Sequence, residues 1–225
     1  EGLISTSYGI KGIPTLSEEI QINRDLKILE YTGGKLHIPT ISSATSVKLI
    51  KEAKKKGLKV SCSVSAHHLI LTDNELDSFD SNVKVTPPLR TKNDTKALLK
   101  GLKDGVIDII TSDHNPIDIE HKKLEFSHAE FGTIGLESLF GAINSVLDLE
   151  TIIKALTIQP RAIFNQESTS IKKDNIANLT LFNPNGTSVF LNKNILSTSK
   201  NSAFLGKKLK GKVYGVFANK KLVLN

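Results

Sequence analysis

The sequence predicts an α/β protein with parallel strands, followed by a β-rich C-terminal segment. Two observations carry that prediction. Short β-branched runs alternate with amphipathic helical stretches in the order strand, helix, strand, helix, strand, a pattern that places parallel strands beneath outer helices. After Pro160 the pattern changes to short strands separated by turn residues.

Residues 35–41 (KLHIPTI) follow Gly33-Gly34 and read as a buried strand. Residues 44–56 read as a helix, with Val47, Ile50 and Ala53 on one face and lysines opposite. Ser42 or Ser43 can cap its first turn, and Gly57 stands just past its end, where a left-handed residue is needed. Residues 58–65 form the next strand, 73–92 a loop ending in Pro87-Pro88, 93–104 a helix followed by Gly105, and 106–111 (VIDIIT) a third strand. An earlier helix covers 16–31. Residues 132–147 and 150–157 read as mostly helical. ANLTLF at 177–182 reads as a strand ended by a turn at Asn183-Pro184-Asn185-Gly186, and 212–224 as a hairpin turning at Asn219.

Composition removes several function classes. No run of about 18 apolar residues is present, so no helix spans a membrane. No charged segment followed by an apolar one opens the chain, so no secretory signal is visible. The single cysteine, Cys62, excludes an intrachain disulfide and points to a reducing, cytoplasmic setting. The net charge of +7 is spread over separate groups such as Lys54–Lys56, Lys96, Lys100 and Lys103, which read as solvated faces. With three tyrosines and no tryptophan, little is available for base stacking, and no nucleic-acid role is predicted. The chain has no methionine and opens Glu1-Gly2-Leu3, which predicts a piece of a longer protein.

The sharpest chemical signal is Ser112-Asp113-His114-Asn115-Pro116, directly after the third strand. A carboxylate there can bind a metal or exchange a proton with water; it can equally cap the turn that follows. His67-His68 follow the second strand and offer one ligand or a structural hydrogen bond, since adjacent side chains point different ways. His37 lies on the first strand with no histidine two residues on, and reads as a core histidine. His121 and His128 sit in a charged loop and read as surface residues. There is no phosphate-cradling glycine loop, nucleophile elbow or CxxC.

Taken in order, EGLISTSYGIKGIPTLSEEIQINRD, KLHIPTIS, the HHL at 67–69, VKVTPPLR, DGVIDIITSDHNP, FGTIGLE, ALTIQPRAIF, IANLTLFNP and SKNSAFLGKKLKGKVYGVFANKKLV resemble the dihydroorotase family of the amidohydrolase superfamily. They cover nearly the whole chain. The resemblance implies a (β/α)8 (TIM-type) barrel with a small β-domain, here with residues 1–164 as the last strands and helices of the barrel and 165–225 as the C-terminal part of the small domain. A complete barrel uses about 250 residues, so roughly the first five strands are expected upstream. The resemblance also implies zinc, and reversible closure of carbamoyl-aspartate to dihydroorotate in pyrimidine biosynthesis. Asp113 matches the family's general acid/base and metal ligand. Phe131 and Gly132 match a pair that meets substrate through its backbone.

Several positions depart from the family. Thr40 stands where a zinc-binding histidine is usual, Thr86 where a substrate-binding asparagine is usual, and Ile117 where a histidine holds the substrate carboxylate. Ser63 replaces an acidic residue and Ala66 a proline. A hydroxyl is a poor zinc ligand beside an imidazole, and isoleucine offers a carboxylate no donor. These changes imply a catalytically impaired homologue, a pseudoenzyme acting as a scaffold or partner of aspartate transcarbamoylase. The alternative is an active zinc-dependent cyclic amidohydrolase completed by upstream residues, and a third is an unrelated α/β protein.

Overall fold

The computed structural model describes residues 1–167 and 170–224, so Ser168, Thr169 and Asn225 of the 165–225 segment lie outside the described residues. The fold is mixed α/β. Helix α1 (Leu3–Ser7) precedes α2 (Thr15–Thr32), which buries Ile22, Leu26 and Leu29 and ends at Gly33 in the left-handed conformation. Strand β1 (Leu36–Ile38), helix α3 (Ala44–Lys55), strand β2 (Val60–Ser65), helix α4 (Lys92–Lys103) and strand β3 (Ile109–Thr111) follow. The strands are parallel in the order β1-β2-β3, with Leu36 opposite Val60 and Ser63 opposite Ile109. The alternation read from the sequence therefore does produce a parallel sheet.

Local chemistry fixes these elements. Ser43 caps α3 by accepting from the Ser46 N–H (3.1 Å). Thr91 and Asp94 form a reciprocal capping box at α4, and the other Asp94 oxygen accepts from the Ala44 N–H (2.9 Å). One carboxylate thus satisfies orphan donors of two helices. Gly101 lets them approach, because a Cβ there would sit 3.1 Å from Val47 and Ile107. At the far end of α3, Lys54 grips both Asp108 oxygens at 2.8 Å, and Asp108 also accepts from the Cys62 N–H. Burial pushes the Cys62 thiol up to about 12, so it stays protonated and unreactive.

The third strand is shorter than the 106–111 expected. Val106 and Ile107 donate to the Gly101 carbonyl, closing α4, and only Ile109–Thr111 remain for the ladder. The region 132–147 is not mostly helical either. Short α5 (Ile119–Lys122) precedes it, and within it only α6 (Leu139–Ile143) is an α-helix. Thr133 instead bridges His114, and the Ile134 N–H donates to the Asn201 carbonyl. The 150–157 helix runs further than predicted: α7 (Leu149–Ile153) passes through a π turn (Lys154–Ile158) into α8 (Gln159–Ile163). The widened turn accommodates Pro160, which has no N–H and would clash in a regular helix interior.

The C-terminal sheet is antiparallel, with β4 (Leu179–Val189), β5 (Lys208–Ala218) and β6 (Lys221–Leu224) in that order. The turn expected at residues 183–186 is instead an irregularity inside β4, where the register shifts between Asn183 and Thr187. The Asn144 amide donates to the Pro184 and Lys210 carbonyls there, satisfying acceptors that the ladder leaves free. The hairpin does turn at Asn219, with Asn219 and Lys220 both at positive φ, as a two-residue I′ connection requires.

Two apolar clusters hold the fold. The larger lies between the parallel sheet and α2, α3, α4 and residues 143–155. The second gathers Leu71, Val85, Ile134, Ala142, Phe190, Phe204 and Leu209, so the stretch 190–209 packs into the body of the protein. Polar groups lie between the layers. Glu18 of α2 accepts from the Ser42 N–H (2.8 Å) and hydroxyl, the Ser43 N–H (3.3 Å) and the Ser46 hydroxyl (2.5 Å), with Arg90 at 3.9 Å. Removing one member of so enclosed a charge group strands the others, at a cost of about 3 kcal/mol. Glu18→Ala is expected to lower unfolding stability by about that amount in urea titrations; a loss under about 1 kcal/mol would show that the serines and Arg90 do not depend on it.

Lys122 is buried, and its ammonium donates to the carbonyls of Ser81 (2.6 Å) and Glu130 (2.9 Å). Burial lowers its pKa to about 8. An unfolded lysine titrates near 10.4, so between these values the unfolded chain binds more protons than the folded one, and stability rises with pH. The penalty for burying the charge is in full force below pH 8 and is relieved as pH climbs towards 10. The melting temperature of the wild type should therefore gain on that of Lys122→Met between pH 7.5 and about 9.5. A difference that does not change with pH would contradict the buried-charge account.

Candidate active site

Three chain segments leave the C-terminal ends of the parallel strands side by side. They carry Thr40 after β1, His67 after β2 and Asp113 after β3. Thr40 and Asp113 have φ of 48° and 45°. Non-glycine residues rarely take that conformation, and it persists only where the surroundings hold it. Both therefore turn sharply at the strand end.

The Asp113 side chain is 35% exposed, and its oxygen Oδ2 lies 3.6 Å from His67 Nε2. Burial raises its pKa from the usual carboxylate value. Among the described residues no backbone N–H donates to it. The capping alternative belongs to Asp118, which starts α5 by accepting from the His121 N–H (3.0 Å). Next to Asp113, His114 Nδ1 accepts from the N–H groups of Gly135 (3.2 Å) and Leu136 (3.3 Å), pinning the loop to the segment that follows Gly132.

The adjacent histidines have separate tasks. His68 bridges Ser65 Oγ (2.6 Å) and the Pro87 carbonyl (2.9 Å). A carbonyl only accepts, so Nε2 carries the proton and Nδ1 receives the serine hydroxyl. Burial drops the His68 pKa to about 4, and the ring stays neutral. His67, 1% exposed, packs against it with ring centroids 4.5 Å apart. Burial, and secondarily His68, holds the His67 pKa well below the ordinary value. Its Nε2 is buried and, among the described residues, has no hydrogen-bond partner.

Other predicted residues sit elsewhere. His37 bonds Ser61 Oγ (2.8 Å) and meets Phe164 edge-on at 5.4 Å, which suits a packed strand histidine. The Thr40 N–H donates to Ser63 Oγ (3.1 Å). His37, Thr40 and Thr86 line one cleft of about 510 Å³ with Glu18 and Arg90, and Asp113 is not among its walls. Phe131 lines a different cavity of about 530 Å³ beside Val85 and Arg90, with Lys84 Nζ 4.8 Å from its ring centre. The Gly132 N–H donates to the Lys84 carbonyl (2.9 Å). Its φ of 143° disfavours any side chain, and a Cβ there would lie 2.7 Å from the Asn115 amide. Ile117 packs against that glycine, and its N–H donates to Asn201 Oδ1 (3.3 Å). His121 and His128 are exposed and pair with Asp118 and Glu125. The structure thus brings Asp113 to His67 and Thr40 to Thr86, while Phe131 faces a third space.

Two features were not legible in the sequence. The His67–Asp113 approach joins residues 46 positions apart (113 − 67) with no spacing signal. Buried Lys122 lies in the charged run Glu120-His121-Lys122-Lys123, which looks solvated. As a metal site, Asp113 is the hard oxygen donor and His67 the one unpartnered imidazole beside it, but zinc takes four ligands. Among the described residues no group of three or more metal-binding side chains forms. Asp113 fits such an ion as one ligand of several, whereas the Thr40 hydroxyl does not.

Residues 6–223 match the amidohydrolase family. A dihydroorotase of Carboxydothermus hydrogenoformans is 44% identical over 94% of this chain and 51% of its own length. The chain spans about half the length of the curated relatives it matches. Among solved structures, an L-hydantoinase (dihydropyrimidinase) from Arthrobacter aurescens superposes with a TM-score of 0.87 at 23% identity, over 94% of this chain and 49% of that one. The inactive dihydroorotase-like domain of a Chaetomium thermophilum CAD-like multifunctional protein gives 0.65 at 21% identity, over 88% and 53%. Both share the fold.

Proposed function

The chain belongs to the amidohydrolase family, and we propose that it is the C-terminal part of a dihydroorotase-like enzyme of pyrimidine biosynthesis in which Asp113 moves the proton. In this reading β1, β2 and β3 are the last three strands of a (β/α)8 barrel spanning residues 1–164, and 165–225 contribute to a small β-domain. The setting is cytoplasmic. The observation that carries the reading is the Asp113 carboxyl itself, at the end of a parallel strand, free of capping duty and raised in pKa by burial. A carboxyl moved towards neutrality both accepts and returns a proton more effectively than an ordinary one.

In the hydrolytic direction, Asp113 takes the proton of the attacking water as it adds to the cyclic amide carbonyl of dihydroorotate. It then gives that proton to the amide nitrogen as the C–N bond breaks, yielding carbamoyl-aspartate. Ring closure is the reverse. A zinc ion, held by Asp113 with ligands from the rest of the protein, would polarise the amide and the water. The Phe131–Gly132 backbone is the proposed substrate contact; its Gly132 N–H is bonded to the Lys84 carbonyl in this structure.

A second reading is favoured by Thr40, Thr86 and Ile117, which remove a metal-binding imidazole, an amide and an anion-binding imidazole relative to the family pattern. It makes the protein a catalytically impaired scaffold for aspartate transcarbamoylase. The two readings separate in one set of measurements on the full-length protein. Zinc content and dihydroorotate turnover are compared for wild type, Asp113→Ala and Thr40→His. Under the first reading Asp113→Ala loses turnover on the order of 10³-fold. If wild type turns over no substrate, and a stable complex with the transcarbamoylase forms in gel filtration, the scaffold reading replaces it. Thr40→His should raise zinc affinity, and an unchanged affinity would mean that position 40 does not face the metal.

A further inference from the structure

Two lysines fasten one irregular segment, and the proposed reaction gives neither a task. Residues 123–131 contain no helix or strand, so regular structure supplies their carbonyls with no donors. Lys84 Nζ donates to three of them, Phe126 (2.8 Å), Ser127 (3.0 Å) and Ala129 (2.6 Å). Lys122 Nζ donates to Glu130 (2.9 Å) and, across the gap, to Ser81 (2.6 Å). Ser81 Oγ returns a bond to the Lys122 carbonyl (2.5 Å). Among the described residues neither ammonium is in a salt bridge, so these carbonyls are what offsets the water it loses. Lys84 also holds the end of the segment. Its own carbonyl accepts from the Gly132 N–H (2.9 Å), and its ammonium stands 4.8 Å from the Phe131 ring centre. On the other side Asn115, in the loop that carries Asp113, donates to the Phe131 carbonyl (3.4 Å). The Phe131–Gly132 peptide is therefore held between Lys84 and the Asp113 loop.

We infer that Lys84 is a positioning residue for substrate: with Lys122 it fastens residues 123–131, and so sets where the Phe131–Gly132 backbone stands beside the Asp113 loop. The inference rests on the proposed substrate contact at that backbone, but the fastening is testable without turnover. Lys84→Met keeps the length of the side chain and removes its three donations. In the full-length protein, amide hydrogen exchange of peptides covering 123–132 should quicken about tenfold or more in Lys84→Met, with α3 and α4 unchanged. Lys122→Met should quicken the same peptides. Unchanged exchange over 123–132 overturns the inference. Equal acceleration in α3 and α4 also does, since the lysine would then serve the whole fold.

Kinetics supply the second arm. A displaced backbone contact weakens ground state and transition state alike, so in Lys84→Met the KM for dihydroorotate should rise about tenfold, with kcat within about threefold. Lys84→Cys alkylated to completion with bromoethylamine rebuilds an ammonium at similar reach, and should recover both KM and the slow exchange. Wild type treated alike is the control, and its Cys62 is buried and stays protonated. An unchanged KM, a loss confined to kcat, or no recovery on alkylation counts against positioning. If exchange over 123–132 responds to Lys84 while wild type turns over nothing, the proposed function fails and the fastening stands. If wild type turns over substrate and exchange ignores Lys84, the reverse holds.

Discussion

The structure around the candidate site depends on one largely enclosed carboxylate, Glu18. It takes hydrogen bonds from Ser42, Ser43 and Ser46 at the start of α3, with the Arg90 guanidinium 3.9 Å away. Arg90 in turn donates to Ser42 Oγ (3.0 Å) and to the Ile13 carbonyl (2.6 Å). Three remote stretches meet there: the approach to α2, the exit from β1, and the Thr86–Arg90 segment. A buried anion demands partners, and here the partners are the loops that border the site. The position of Thr40 and Thr86 on one cleft follows from that demand.

A second layer of the same logic reaches Asp113. His68 ties the end of β2 to Pro87, and His67 stands between His68 and the carboxyl. The Asp113 loop is then fixed from its other side by His114 and by the bridge between His114 and Thr133. Burial keeps both adjacent histidines neutral, so neither competes with Asp113 as a charged group at neutral pH. The carboxyl is therefore the one member of this trio able to change charge where the strands end.

Much of the fold was legible because its signals are local. The apolar spacing of Val47, Ile50 and Ala53 marked the buried face of α3, the Ser43 cap formed as read, and the hairpin turned at Asn219. The misreadings came where distant groups captured local ones. Asn144 lets β4 run through an Asn-Pro-Asn-Gly stretch that by itself spells a turn. Asn201 and His114 draw residues 133–136 out of the helix their apolar character suggests. A π turn carries the helix past Pro160.

The sequence by itself determined the α/β class and the parallel strands, since periodicity and caps act within a few residues, while the resemblance of its ordered motifs pointed to the family and to Asp113 as the residue to watch. Only the tertiary structure decided that Asp113 is no cap, that His68 is structural while His67 faces the carboxyl, and that Lys122 is buried. Those outcomes depend on which unsatisfied polar groups come to share a dry space, and that is set by segments tens of residues apart.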